Sequence, residues 1–273
     1  MNTTLNTIVA EINAKGFKAE VREVSKNNAV MTGIMFRDNA NISPVLYPDK
    51  FVDAVDKGTK LLSEAVNEII ELYKANKKSE LDIDKFFTHD YLNTHIFMAV
   101  QQNTAEDIIK EFTEYDGIEK YLYVKVDDRE IAGDGIASFK LTDAIVKNYG
   151  LDLIDLWSKA KENTFATCHF ENFSMFPGIS MPILTNNSKV KGAVAMLDRD
   201  LIKSLDLGNE VVILPSSIHE VIVMPTSQIE PEQIKTLSNM VKEINSTVVE
   251  LEEVLSNKAY IVNVDSWTVK AIA

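Results

Sequence analysis

The chain has 273 residues, 45% of them hydrophobic and 25% charged, with a formal net charge of −13 and a single cysteine. That length can bury the core of one large or two modest domains, and so acidic a surface repels phosphate backbones, which argues against a general nucleic-acid binder. Cys168 alone allows no intrachain disulfide and no four-cysteine zinc site, and no run reaches the ~20 apolar residues of a membrane span.

Leu5, Ile8, Val9 and Ile12 recur at helical spacing, with Gly16 as a stop. Phe17 to Val24 alternates as a half-buried strand, Ser25 to Asn28 is turn chemistry, and Ala29 to Phe36 completes a hairpin. Ile42 to Tyr47 can add an edge strand, since Pro44 cannot donate to a ladder. Phe51, Val52 and Val55 start a helical pattern that Gly58 interrupts. Leu61 to Tyr73 then carries a wide apolar stripe, and Lys74 to Lys78 suits its C-terminal end.

Leu81 to Glu114 reads as helical, Tyr121 to Val126 as an alternating strand, and Ala137 to Phe139 as a short strand. Leu141 to Tyr149 and Leu151 to Lys161 read as helices separated at Gly150. Pro177-Gly178 punctuates a boundary between regions 1–172 and 179–273. Beyond it, Pro182 to Thr185 and Gly192 to Leu197 flank Asn186-Asn187-Ser188 as a hairpin. Asp198 caps a short helix, and Val211 to Leu214 and Val221 to Met224 are strands. Pro231 opens a helix whose face is Ile234, Leu237, Met240, Val241 and Ile244; a short helix with Leu251, Val254 and Leu255 follows, and Tyr260 to Val264 closes the fold. The C-terminal order β-β-α-β-β-α-α-β, with strands joined by tight turns, predicts an α+β fold with antiparallel sheets.

The densest chemistry is Pro215-Ser216-Ser217-Ile218-His219-Glu220, set between two strands. A zinc-protease helix needs a second histidine one turn after His219-Glu220, and Val223 stands there instead. Ser216 or Ser217 beside His219 could form a nucleophile–base pair if a third residue oriented the imidazole, yet no Gly-x-Ser-x-Gly elbow is present and the local strand geometry is unfavourable. The competing reading is a turn whose serine hydroxyls bond main-chain amides. Cys168-His169 and the pair His89 and His95 are poorly spaced for a common site; Asp127-Asp128 and Asp198/Asp200 could bind a cation, with solvated loop charges as the ordinary reading. Phosphate-loop and dinucleotide fingerprints are absent. No cofactor or metal is expected.

Asn27-Asn28-Ala29-Val30-Met31-Thr32-Gly33 and Asn41-Ile42-Ser43-Pro44-Val45-Leu46-Tyr47 resemble the opening of an uncharacterised family. Leu214-Pro215-Ser216-Ser217-Ile218-His219-Glu220-Val221-Ile222 resembles it too, as do Met240-Val241-Lys242-Glu243-Ile244-Asn245 and Glu253-Val254-Leu255-Ser256-Asn257. It is a domain-of-unknown-function family of gut anaerobic bacteria, often found in accessory or mobile-element contexts. The likeness runs from about Asn27 to Tyr260 and brings no catalytic role with it. Candidate binding residues in these segments are Asn28, Asn41, Ser43 and Tyr47.

Met1 to Leu5 lacks the basic-then-apolar layout of a secretory signal, so a cytoplasmic protein is expected. The preferred reading is a non-catalytic protein that binds another macromolecule, with a protein as partner. The accessory context that the resemblance implies is compatible with host–element conflict. The alternatives are an enzyme centred on Ser216, Ser217, His219 and Glu220, and a small-ligand sensor.

Overall fold

The chain adopts an α+β fold in which every strand pairing is antiparallel, in a computed structural model that describes residues 3–27, 29–37, 45–76, 82–127, 137–176 and 179–272. It divides into two compact units, Met1–Ile83 and Asp84–Ala273. The boundary expected between residues 172 and 179 falls instead where two strands of one hairpin pair.

In the first unit, helix α1 (Thr3–Ala14) buries Leu5, Ile8 and Ile12, one residue per turn of its inner face. Strands β1 (Ala19–Lys26) and β2 (Ala29–Phe36) form the expected hairpin, with Ala19 opposite Phe36 and Lys26 opposite Ala29. Strand β3 (Val45–Leu46) pairs with β2; the rest of that expected strand lies outside the described residues. Helices α2 (Asp49–Asp56) and α3 (Leu62–Asn76) follow. Tyr73 of α3 stacks on Phe36 at 3.9 Å, and Phe17 meets both rings edge-on at 6.0 Å. Aromatic contacts of this kind add about 0.5–1.5 kcal/mol each beyond their buried area.

In the second unit, helix α4 (His89–His95) leads into β4 (Ile96–Gln102), which pairs with the central strand β6 (Ile118–Val126). Strands β5 (Lys110–Phe112) and β7 (Ala137–Lys140) take successive lengths of the other edge of β6. Helices α5 (Asp143–Tyr149) and α6 (Leu153–Phe165) are divided at Gly150, whose φ of 60° ends α5. Asn163 on α6 donates to the carbonyls of Asn93 and Ile96, and Thr164 accepts from the Met98 N–H, which fixes the helix on β4.

A second sheet has the order β13-β12-β10-β11-β9-β8. It comprises β8 (Cys168–Phe176), β9 (Ile179–Asn186), β10 (Glu210–Leu214), β11 (Val221–Pro225), β12 (Tyr260–Asn263) and β13 (Thr268–Ala271). One core joins the two sheets, with Met98, Val100, Leu122 and Val124 from the first and Val211, Ile213, Val221, Val223 and Tyr260 from the second. The other face of the second sheet packs Val212 and Ile261 against Leu237 and Val241. Short helix α7 (Arg199–Ser204) is capped by Asp198, as its sequence predicts, and helices α8 (Pro231–Ile234) and α9 (Leu237–Thr247) cover that other face.

Strands β5, β8 and β13 fall where no strand was expected, and two further elements differ for a physical reason. Ile96 to Gln102, read as part of a helical region, is a strand with six of its seven residues buried; a short apolar run covered on both faces has no periodicity to separate strand from helix. Gly192–Leu197, read as a strand, is a buried 3₁₀ helix, and the hairpin partner of β9 is β8.

Gly192 explains the second case. A Cβ there would meet the His219 carbonyl and the Thr185 hydroxyl, each at 2.5 Å, and the Asn186 nitrogen at 2.8 Å. Only glycine lets this segment press between β9 and the turn after β10. Gly192→Ala is expected to cost about 1–3 kcal/mol in urea denaturation followed by tryptophan fluorescence, the usual range for overpacking.

Candidate functional site

The turn from Pro215 to Glu220 is held almost wholly through its main chain. The Ile218 N–H donates to the Glu253 carbonyl at 2.8 Å, Leu255 N–H to the Ser216 carbonyl at 3.0 Å, and Ser256 N–H to the Pro215 carbonyl at 3.0 Å. Ser217 also bridges to Val254, and its hydroxyl accepts from the His219 N–H at 3.1 Å. His219 Nδ1 accepts from the Lys191 N–H at 3.2 Å, which places the ring proton on Nε2, 3.2 Å from Glu253 Oε1. A serine activated by this imidazole needs its hydroxyl on a ring nitrogen, and both nitrogens face other groups. Glu220 is exposed. What the cluster does in this geometry is clamp residues 253–256, the segment after a 3₁₀ turn at Leu251–Glu253.

Asn245 of α9 joins the same place. Its Nδ2 donates to the Ser256 carbonyl and to Asn257 Oδ1, each at 2.8 Å, while its buried Oδ1 has no partner among the described residues. Three separate motifs, Leu214 to Ile222, Met240 to Asn245 and Glu253 to Asn257, thus meet at one clamp.

The clamp displays an apolar row. Helix α9 buries Leu237, Val241 and Asn245, so the single face expected from Leu237, Met240, Val241 and Ile244 is split in two. Met240 and Ile244 point outward with Val248 and Leu251, at exposures of 52%, 47%, 77% and 61%. Met240, Ile244 and Val248 follow one another at four-residue spacing along α9 and its C-cap, and Leu251 stands in the 3₁₀ turn that follows. Across residues 240–254 four glutamates accompany one lysine.

A second cluster lies on the face of β6 away from the main core. Period-two alternation puts Glu119, Tyr121, Tyr123 and Lys125 there, next to Phe97 and Gln101 of β4 and Ser138 and Lys140 of β7. Lys125 Nζ lies 3.6 Å above the Phe97 ring, Lys191 Nζ 4.1 Å above Tyr123 and Lys140 Nζ 4.8 Å above Tyr121. Burial first, then the charges of Lys140 and Lys125, lower the Lys191 ammonium to about 8. Lys191 escapes a reading of the sequence because a φ of 59° at the end of a tight turn aims it at a strand more than 60 residues away.

Two clefts complete the chemistry of this unit. One, of about 730 Å³, sets Asp84, His89, Asp152 and Asp155 around Leu92 and Leu156; the other, of about 450 Å³, sets Lys120, Lys161 and Arg199 around Trp157. The Pro215–Glu220 turn lines neither. Among the described residues no three His, Cys, Asp or Glu side chains are grouped to hold a metal ion, and no helix is long and apolar enough to cross a membrane.

A model of a family of unknown function, DUF5688, matches residues 2–179 and 169–263. The chain belongs to DUF5688. No curated protein and no solved structure matches it. The two DUF5688 matches overlap at residues 169–179, within the β8–β9 hairpin.

The remaining candidates in this DUF5688 chain are dispersed. Asn28, Asn41 and Ser43 lie outside the described residues, and so does Asp128. Tyr47 is half-buried, its ring edge 3.7 Å from where a Cβ on Gly33 would stand. Cys168 Sγ donates to the Thr164 carbonyl at 3.3 Å, and burial, with Asp198 adding to it, pushes the thiol up to about 12. His169 pairs with Glu171 at 3.3 Å. His95 stacks on Tyr91, whereas His89 contacts Asn93.

Three outcomes are expected. His219→Ala strands the Lys191 N–H and the Glu253 carboxylate and lowers stability by about 1–2 kcal/mol in chemical denaturation, while Ser216→Ala, which acts through its carbonyl, changes it little. Cys168 resists Ellman's reagent in the native protein and reacts rapidly in denaturant, because the thiolate is the nucleophile. The folded-state value of Lys191 lies below that of the unfolded chain, so the unfolded chain binds the extra proton between them. Stability then rises between about pH 8 and the ordinary lysine range, and Lys191→Met abolishes that part of the rise in parallel urea titrations.

Proposed function

We propose that this DUF5688 chain acts in the cytoplasm as a non-catalytic binding protein whose partner is another protein. The observation that carries the reading is the exposed row of Met240, Ile244, Val248 and Leu251. Met240, Ile244 and Val248, one turn apart at the end of α9, are the anchors a helix offers to a hydrophobic groove, and Leu251 adds apolar surface beyond them. Burying each side chain fully is worth about 1.5–3 kcal/mol, although ordering and lost rotational freedom reduce what reaches the affinity.

The four glutamates and one lysine around the row define the partner's chemistry: an apolar groove rimmed by lysine or arginine. A second copy of this chain is a poor fit, since its row would bring the same four glutamates against these. The accessory and mobile-element setting in gut anaerobes, which the motifs imply, is compatible with a role in host–element conflict, where an acidic protein occupies a basic surface of a host factor.

A photo-cross-linking residue at Val248, activated in native host cells, tests the proposal. One cross-linked protein is expected, and the purified pair is expected to bind at least tenfold more weakly after Ile244→Glu and at high salt, with the melting temperature of the variant unchanged. No cross-linked species above background, or one whose affinity ignores Ile244→Glu, would overturn it.

A further inference from the structure

The lysines on the aromatic face of the first sheet of the larger unit are of two kinds. Lys110 pairs with Glu119 at 3.3 Å and Lys140 with Glu106 at 2.6 Å, and Lys140 also donates to Gln101 at 3.0 Å. Their charges are answered. Lys125 has no carboxylate and no hydrogen-bond acceptor among the described residues; it lies over the Phe97 ring, within electrostatic reach of Cys168. Lys191 has no carboxylate either; it lies over Tyr123 and donates to Ser138 Oγ at 2.9 Å.

Two half-buried ammonium groups without counter-ions among the described residues are held close together here. The rings beneath them, Phe97 and Tyr123, are 6.0 Å apart. Burial lowers Lys125 below the ordinary lysine range, and burial with two like charges does the same to Lys191. A fold gains nothing from this arrangement: desolvated like charges oppose folding, and a ring face offsets only part of that cost. The arrangement is nevertheless well built. Lys191 is fixed by a backbone in the left-handed region and by its N–H bond to His219, and Lys125 stands on the central strand.

We propose that Lys125 and Lys191 form a receptor for a dianionic phosphate group, either inorganic phosphate or a phosphomonoester. The charge count selects it, since two uncompensated positive charges match two negative ones. The residue type agrees, because lysine binds phosphate as a point charge, and among the described residues no arginine fork of the kind that suits carboxylates lies on this face. An ammonium seated on a ring keeps its N–H groups for a ligand on the opposite side. Ser138, which accepts from Lys191, retains its own hydroxyl proton for a phosphate oxygen. The site is separate from the apolar row, so either proposal stands or falls alone.

Isothermal titration of the full chain with inorganic phosphate and with phenyl phosphate tests the site. Saturable one-site binding is expected with at least one of them, at a Kd below about 1 mM. It is expected to weaken tenfold or more in Lys125→Met and in Lys191→Met, and whichever probe binds tighter identifies the source of the group. Both variants, free of ligand, are expected to melt at or above the temperature of the parent, because each loses an uncompensated charge. No saturable heat with either probe, or affinity unchanged in both variants, overturns the proposal. So does a lower ligand-free melting temperature in both, which would make the lysines structural.

Discussion

Gly192 sets the tightest constraint in the larger unit. Its α-carbon lies so near the His219 carbonyl, the Thr185 hydroxyl and the Asn186 nitrogen that no side chain fits. That approach brings a 3₁₀ segment, the last strand residues of β9 and the turn after β10 into one layer. Main-chain bonds then spread outward from it: Ala193 N–H donates to the Ile218 carbonyl at 3.2 Å, and Ile218 N–H to the Glu253 carbonyl at 2.8 Å. Side-chain pairs on the surface add little to such a layer. His219 with Glu253 is one such pair, a neutral ring donating to a partly exposed carboxylate. The buried backbone bonds cannot be lost so cheaply.

His219 links two surfaces of different character. One ring nitrogen fixes the peptide of Lys191, whose side chain completes the lysine face; the other meets Glu253, next to the apolar row. The imidazole orients a cation on one side and an anion on the other without touching a hydroxyl that it could activate.

The local field differs from the net charge. At physiological ionic strength, exposed charges farther apart than about 8 Å are largely screened, so −13 spread over the chain does not cancel two ammonium groups at one spot. The acidic margin of the apolar row and the cationic patch on the sheet therefore act as separate fields. Each would attract a partner that the other repels.

Periodicity alone determined the β1–β2 hairpin, helices α1 and α3, the division at Gly150, the Asp198 cap and the antiparallel α+β class. In each case a repeat of two or 3.6, or a turn residue, carries the information locally. Ile96 to Gln102 and Gly192 to Leu197 were not legible, since a run buried on every side has no polar face to mark its period. The clamp was half legible: the Ser-Ser-Ile-His-Glu cluster stood out as chemistry, and only the fold showed its bonds running to residues 253–256. Met240 and Ile244 read as core because their spacing is helical. Tertiary packing turned Leu237, Val241 and Asn245 inward and left those two outside. The lysine face belonged to the tertiary structure entirely, because Lys125, Lys140 and Lys191 meet only through strand pairing and one left-handed residue, contacts that no local pattern encodes.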